Sequence, residues 1–163
     1  MDHLVCTDDS AGELEELIRG TRTMIARGVG ERSTPYGAVD SGDTLYFTRS
    51  SALGVVLAKA DVVRVVSSGW LTEKKAVRHL SRYQDRLRLT KSELKRWSEK
   101  RYLVLIAVDS VIRMAPFTVN KAGFGRENDW LLVGDIQEVV AMTVSPWLNK
   151  KRTCPDADPA VGE

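Results

Sequence analysis

The chain has 163 residues, of which 43% are hydrophobic, and its 24 lysines and arginines against 22 acids give a net charge of +2. This length and composition predict one domain with a sizeable core, because a second full domain would be cramped. No run of 18 apolar residues is present, and the acidic N-terminus "MDHLVCTDDSAGE" lacks the basic and then apolar pattern of a secretory signal. We therefore expect a soluble, cytoplasmic protein that does not bind membranes.

The two cysteines, Cys6 and Cys154, lie near opposite ends of the chain and have no CxxC partner. Isolated cysteines of this kind are typical of free thiols rather than of a disulfide or metal framework. The sequence also contains no glycine-rich GxxxxGK[ST] loop for a nucleotide. We therefore predict no metal and no cofactor.

The first half of the chain begins with a strand and a helix. Residues 3–7 have the composition of a short strand, and the segment after Ser10 has apolar residues at helical spacing until Gly20. The next segment, "TRTMIARGV" (21–29), is rich in β-formers and predicts a strand. It carries Arg22 and Arg27, which would lie on opposite faces of a regular strand.

Two more strands follow a turn-rich loop, "GERSTPYGAVDSG". The first is "DTLYFTRS" (43–50), and the second is the long run 54–68, in which apolar residues alternate. Strict alternation indicates that one face of this long strand packs into a core.

In the middle of the chain the apolar spacing becomes helical. One side is apolar, and a second side is a basic stripe, namely Lys75, Arg78, Arg82 and Arg86. In "LTKSEL", Thr90 and Glu93 have the spacing of a capping box, which predicts the start of another helix.

The segment from Trp70 to Arg101 has eleven lysines and arginines against four acids, a net charge of +7, whereas the rest has 13 against 18, or −5. A basic block within a mildly acidic protein favours a polyanion bound on one face. Two alternatives remain open: a solvated pair of helices, and a surface for an acidic protein partner.

Residues 102–114 return to β-formers and precede a loop around Gly123 and Gly125. After Trp147 the chain becomes polar and contains prolines. We therefore assign one domain to residues 1–148 and a flexible tail to residues 149–163. The order of elements predicts an α+β fold, a small mixed β-barrel with helices covering its openings.

Three runs, "ELEELIRGTRTMIAR", "GAVDSGDTLYF" and "GVVLAKADVVRVV", resemble the ASCH domains of the PUA-like superfamily. In that family a helix ending in Gly leads into a strand with a G-x-K-x-x-E-x-R signature, and a "GD" turn precedes the next strand. The signature falls here on Gly20, Arg22, Ile25 and Arg27, so Arg replaces Lys and Ile replaces Glu. The related EVE and YTH domains share a similar turn and an aromatic-lined pocket for a modified base.

The resemblance implies a nucleic-acid site in a cleft between the barrel and the first helix. Arg22, Thr23 and Arg27 would hold the ligand there, Tyr46 or Trp130 would stack a base, and the basic stripe would bind backbone phosphates. On this interpretation the chain is an RNA-binding module. The alternative is an ordinary barrel strand, with one arginine on the outer face and the other near a strand end.

The resemblance also raises an enzymatic alternative, an amidohydrolase or a ribonuclease. Some bacterial ASCH proteins hydrolyse acetylated cytidine with a Lys, a Thr and a distant Glu, but Arg22 and Ile25 occupy the Lys and Thr positions here. Arginine does not lose its proton to act as a base, and isoleucine has no nucleophile. The remaining candidate base is Lys59, which interrupts an apolar strand where partial burial would lower its pKa.

Overall fold

The computed structural model describes residues 1–120 and 129–143. The elements in chain order are β1 (Asp2–Thr7), α1 (Glu13–Arg19), β2 (Met24–Val29), β3 (Thr44–Arg49), β4 (Ala52–Ser67), α2 (Glu73–Ser81), α3 (Gln84–Leu87), α4 (Lys91–Ser98), β5 (Tyr102–Val108), β6 (Ile112–Val119), β7 (Trp130–Gly134), a 3-10 turn (Ile136–Glu138) and β8 (Val140–Thr143).

The eight strands form one mixed sheet, in the order β2, β5, β4, β3, β1 and β7, and β6 joins β4 to β8. The pairing of β1 with β3 is parallel, and all the other pairings are antiparallel. The long strand β4 pairs with β3, β5 and β6, and register shifts accompany each of these pairings. Such irregularities bend a strand, so the sheet curls into a half-barrel. The predicted α+β class with a curled mixed sheet is confirmed.

Both faces of β2 are covered. Ile25 packs into a core cluster beneath α1, whereas Met24 and Ala26 pack into a second cluster beneath α2, α3 and α4. Because side chains alternate along a strand, Arg27 shares the face of Ile25 and points to the α1 side. The position of β2 between two cores therefore places a charged side chain beside the start of α1.

Several element ends match their sequence signals. Gly20 ends α1 with a φ of 78°, a left-handed conformation that glycine adopts without strain. At the start of α4, Thr90 Oγ1 accepts a hydrogen bond from the Glu93 N–H at 3.2 Å, and the Glu93 carboxylate accepts one from the Thr90 N–H at 2.8 Å. The predicted capping box is confirmed.

Other details differ from the predictions. Strand β2 begins at Met24, so Arg22 precedes it, and the predicted 102–114 segment forms parts of two strands. The helical pattern between Ala76 and Leu87 is split into α2 and α3. Within residues 1–120 and 129–143, no helix is long and apolar enough to cross a membrane. The predicted loop around Gly123 and Gly125, the tail 149–163 and Cys154 lie outside the described residues.

Candidate nucleic-acid interface

Arg27 is buried and is held by acceptors on three sides. Its Nη1 donates to Glu13 Oε1 at 2.8 Å, and its Nη2 donates to the Cys6 carbonyl at 3.0 Å. The Arg27 Nε lies 3.2 Å from Asp129 Oδ2 in an ion pair. Burial would lower the pKa of Arg27, but the charges of Glu13 and Asp129 raise it above its ordinary value. The guanidinium therefore stays charged at any pH at which the protein is folded.

Glu13, the first residue of α1, is buried together with its partner. Its carboxylate also accepts a hydrogen bond from the Asp8 N–H at 3.1 Å. Burial alone would raise the pKa of Glu13, but the Arg27 charge and these hydrogen bonds lower it below the usual range. The carboxylate thus fixes the Arg27 fork and ties it to the loop after β1.

A cleft of about 360 Å³ opens beside this pair, between the end of β1, the start of α1 and α4. The residues that line it are Cys6, Thr7, Asp8, Ser10, Glu13, Arg27, Ser50, Arg96 and Asp129. Three of them are carboxylates and two are guanidinium groups, so the lining is slightly acidic. Burial raises the pKa of the Cys6 thiol, which therefore stays protonated near neutral pH and is a poor nucleophile.

Arg96 is the accessible cation of the cleft. Its side chain is 45% exposed, and its Nη1 donates to Asp8 Oδ2 at 3.0 Å. The Arg96 guanidinium also lies 4.5 Å from the centroid of the Trp97 ring, and that of Arg27 lies 5.7 Å from it. Two arginines therefore contact one buried indole, which orders the α4 wall of the cleft.

A separate groove of about 240 Å³ lies on α2 and is lined by Leu71, Lys75, Arg78, His79 and Arg82. No carboxylate belongs to this lining, and the ion pairs within residues 1–120 and 129–143 include none of its three cations. Burial and the charge of Arg82 lower the pKa of His79, so His79 is neutral at neutral pH. We call this surface the α2 groove. It has the electrostatic character that a polyanion requires.

Neither a known protein-family pattern nor a curated protein matches this sequence. Three solved structures do resemble the fold, all crystal structures of an ASCH protein from Zymomonas mobilis, one of them described without a substitution and two of single-substitution variants. Each has a TM-score of 0.61 with 10% or 12% sequence identity. The alignments cover 84% or 86% of this chain and 92% to 99% of the other.

The chain has the ASCH-domain fold. The predicted resemblance is therefore confirmed at the level of the fold, through structure rather than through sequence identity. The cleft beside Arg27 in this ASCH fold lies between the half-barrel and the first helix. That is where the family resemblance led us to expect a ligand.

Arg22 does not belong to the cleft, which corrects our expectation for the first signature arginine. Its side chain is 1% exposed and forms ion pairs with Glu93 at 2.9 Å and Glu16 at 3.0 Å. Its Nη2 also donates to the Arg88 carbonyl at 3.0 Å. With its donors bound inside the protein, Arg22 joins α1, α4 and the loop after α3 instead of facing a ligand.

Thr23 and Arg86 contact each other. The Arg86 Nε donates to Thr23 Oγ1 at 3.2 Å, and the Thr23 N–H donates to the Arg86 carbonyl at 3.1 Å. Arg86 is half-buried on α3 and does not line the α2 groove. The predicted four-residue stripe is thus wrong at one position, because the chain leaves the helix after Ser81.

The two aromatic residues expected to stack a base have no open ring. Trp130 is 4% exposed in the core beneath α1, and its indole N–H donates to His3 Nδ1 at 3.1 Å. Tyr46 is buried in a third core cluster and contacts Phe117 edge to face. Both expectations are corrected, since a ring covered by core residues offers no face to a nucleobase.

Lys59, the candidate base, does not line the cleft. It alternates along β4 with Ala58 and Ala60, which belong to the core beneath α1, so its side chain leaves the opposite face of the strand. The structure therefore does not bring Lys59 to Arg27.

Sequence reasoning missed Glu13, Asp8 and Arg96 as cleft residues. In the sequence, Arg96 counts only as one more charge of the basic block between Trp70 and Arg101. The available signal was Glu13 itself, an acid at the start of a helix that is followed by a strand carrying two arginines. Because a strand embedded between two cores cannot bury an arginine unpaired, that pattern predicts a carboxylate partner.

Proposed function

We propose that this chain is an RNA-binding module whose α2 groove binds the phosphate backbone. The observation that carries the proposal is the distribution of the basic side chains. Arg22, Arg27, Arg49 and Arg96 each form an ion pair with a carboxylate, whereas Lys75, Arg78 and Arg82 are exposed and belong to none of the ion pairs among the described residues. Unneutralised cations beside one another attract a polyanion and release its counterions on binding.

The cleft beside Arg27 has a different part in this proposal. Its lining is slightly acidic, so it suits the edge of a base or a ribose hydroxyl better than a phosphate. Asp8 supplies an acceptor there and Arg96 a donor, which are the two kinds of group needed to read a base edge. The choice of RNA over DNA rests on the likeness to ASCH domains.

A salt titration tests the proposal. Binding of a fluorescein-labelled 12-nucleotide oligouridylate is measured by anisotropy at several NaCl concentrations, for the wild type and for the triple variant Lys75→Gln, Arg78→Gln, Arg82→Gln. Each phosphate contact on a single strand contributes about 0.7 to the slope of log affinity against log salt, so the variant should be flatter by about 2. Glutamine is a good helix former, and α2 should remain folded.

The control is a charge-matched triple variant, Arg19→Gln, Arg64→Gln, Arg113→Gln, whose three arginines are exposed outside the α2 groove. It changes the net charge equally and should leave the slope almost unchanged. Equal slopes for the α2 variant and the wild type would exclude these residues from the RNA interface. An acidic protein partner would then be the better account of the groove.

A further inference from the structure

Trp70 is an exposed tryptophan in a fold that buries its other described tryptophans. Its exposed fraction is 59%, against 6% for Trp97 and 4% for Trp130. A tryptophan side chain has a large apolar area, and leaving it in water forgoes the free energy that burial would contribute. Within residues 1–120 and 129–143, no core cluster includes this ring.

The segment around Trp70 is ordered by backbone pairing with the start of β5. The Ser68 N–H donates to the Leu103 carbonyl at 2.9 Å, and the Leu71 N–H donates to the Arg101 carbonyl at 2.8 Å. The Arg101 guanidinium lies over the indole, 5.7 Å from the ring centroid. The ring is therefore held by its backbone and by a cation–π contact, which lowers the entropy lost when a second planar group stacks on it.

Trp70 immediately precedes the α2 groove in the chain. Its neighbour Leu71 lines the groove, and Thr72, the next residue, caps α2 by accepting a hydrogen bond from the Lys75 N–H. At 1.5 Å per residue, the cations from Lys75 to Arg82 then extend about 10 Å along the helix. An aromatic face thus precedes a row of cations, an arrangement that suits a base followed by its backbone.

We propose that the α2 face binds single-stranded RNA, with one unpaired base stacked on Trp70 and the adjoining phosphates on Lys75, Arg78 and Arg82. This inference rests on the proposed RNA-binding function and assigns its stacking residue. Bases in a duplex already stack on one another and are not free to stack on a side chain, so the site should favour single strands. A hydrophobic contact for a protein partner is the competing use of Trp70.

The test compares variants of Trp70 in the anisotropy assay. Trp70→Ala should weaken binding of the 12-nucleotide oligouridylate by about 5-fold to 150-fold, the equivalent of about 1–3 kcal/mol per stacked base. The salt slope should stay at the wild-type value because no charge is removed. Trp70→Phe should retain most of the affinity, since a phenyl ring still stacks. Ile112→Ala, which removes an equally exposed apolar side chain from β6, should have no effect.

A second measurement uses the Trp70→Phe variant, which keeps an aromatic ring at position 70. Oligouridylate should quench the tryptophan fluorescence of the wild type more than that of Trp70→Phe, and a 12-base-pair RNA duplex should quench the two equally. If Trp70→Ala binds as tightly as the wild type, or if the quenching of wild type and Trp70→Phe is the same, the inference is overturned. If the α2 triple variant still flattens the salt slope of the wild type in that case, RNA binding by the α2 groove is supported, and only the stacking on Trp70 is ruled out.

Discussion

The Glu13–Arg27 pair shows how a charged side chain is accommodated between two cores. From the sequence, Arg27 is expected to hold a ligand in the cleft. In the structure its three guanidinium nitrogens face carboxylates and backbone carbonyls, and both members of the pair are buried. Removing one member would leave the other charged and unpaired in the interior, a change that typically costs about 3–5 kcal/mol. Arg27 therefore shapes the cleft before it contacts any ligand.

The lowered pKa of Glu13 predicts a component of acid unfolding. In the unfolded chain this carboxyl should titrate near its ordinary value of about 4.3, and in the folded protein it titrates lower. Its stabilising contribution is then fully present above the unfolded pKa and is lost as the pH falls through the folded pKa. We expect Glu13→Gln to be less stable than the wild type at pH 7, by urea denaturation, and the difference to shrink as the pH is lowered below 4.

Asp8, whose pKa is also lowered, provides the comparison for that experiment. Burial would raise the pKa of Asp8, but its hydrogen bonds with Ser10 and the charge of Arg96 lower it. Asp8 is only partly buried, so Asp8→Asn should lose less stability at pH 7 than Glu13→Gln. A difference between Glu13→Gln and the wild type that stays constant from pH 7 to pH 3 would show that the carboxylate charge is not what stabilises this site.

At the scale of the element, the start of α4 has two functions. Glu93 closes the capping box with Thr90 and at the same time accepts hydrogen bonds from Arg22. The capping residue therefore orients the carboxylate that neutralises a buried arginine. Local helix chemistry and a contact between residues 71 positions apart depend on the same side chain.

Thr90→Ala should lower the free energy of unfolding by about 1–2 kcal/mol, the upper part of the usual range for an N-cap, because the substitution also loosens Glu93. Chemical denaturation of the variant measures this loss. Ser92→Ala, two residues further along the exposed side of α4, is the matched control and should be neutral or slightly stabilising, since alanine is the better helix former. Equal stabilities for the two variants would mean that the cap contributes nothing beyond helix propensity.

For the whole molecule, the arginines divide into two sets. Arg22 and Arg27 are buried and pair with carboxylates of α4 and α1, whereas Arg78 and Arg82 are exposed in the α2 groove. Among the described residues, Arg96 is the one cation of the basic block that forms an ion pair, with Asp8, and Arg22 from outside the block pairs with Glu93. The α2 groove brings three exposed cations, Lys75, Arg78 and Arg82, onto one surface whose lining has no carboxylate.

An arginine-to-glutamine substitution should lower stability in the buried set and weaken the salt dependence of RNA binding in the exposed set. Arg22→Gln should cost about 3–5 kcal/mol of stability because Glu93 loses its buried partner. Arg78→Gln should change stability by less than about 0.5 kcal/mol, and it should lower the salt slope of RNA binding by about 0.7. Urea denaturation and the anisotropy titration measure the two effects, and a loss of stability in Arg78→Gln would place that residue among the structural arginines.

Sequence patterns predicted much of the fold because they are local. The alternation along β4, the Gly20 helix end and the Thr90–Glu93 box each depend on residues within a few positions, and each is confirmed. The placement of the site residues was predicted less well. Arg27 lines the cleft, and its contact with a ligand stays a prediction, whereas Arg22 is buried elsewhere and the two rings expected to stack a base lie in the core.

The sequence by itself determined the α+β class, the strands and helices, and the existence of a basic block, since composition and periodicity are properties of the chain alone. Only the tertiary structure decided which cations are neutralised and which aromatic ring is exposed. Glu93 is 71 positions from Arg22, and Trp130 is 127 from its partner His3. The folded sheet brings these groups within hydrogen-bonding distance, and their burial then requires the pairing that removes them from a binding surface. Trp70 is 59% exposed and belongs to none of the core clusters of the described residues.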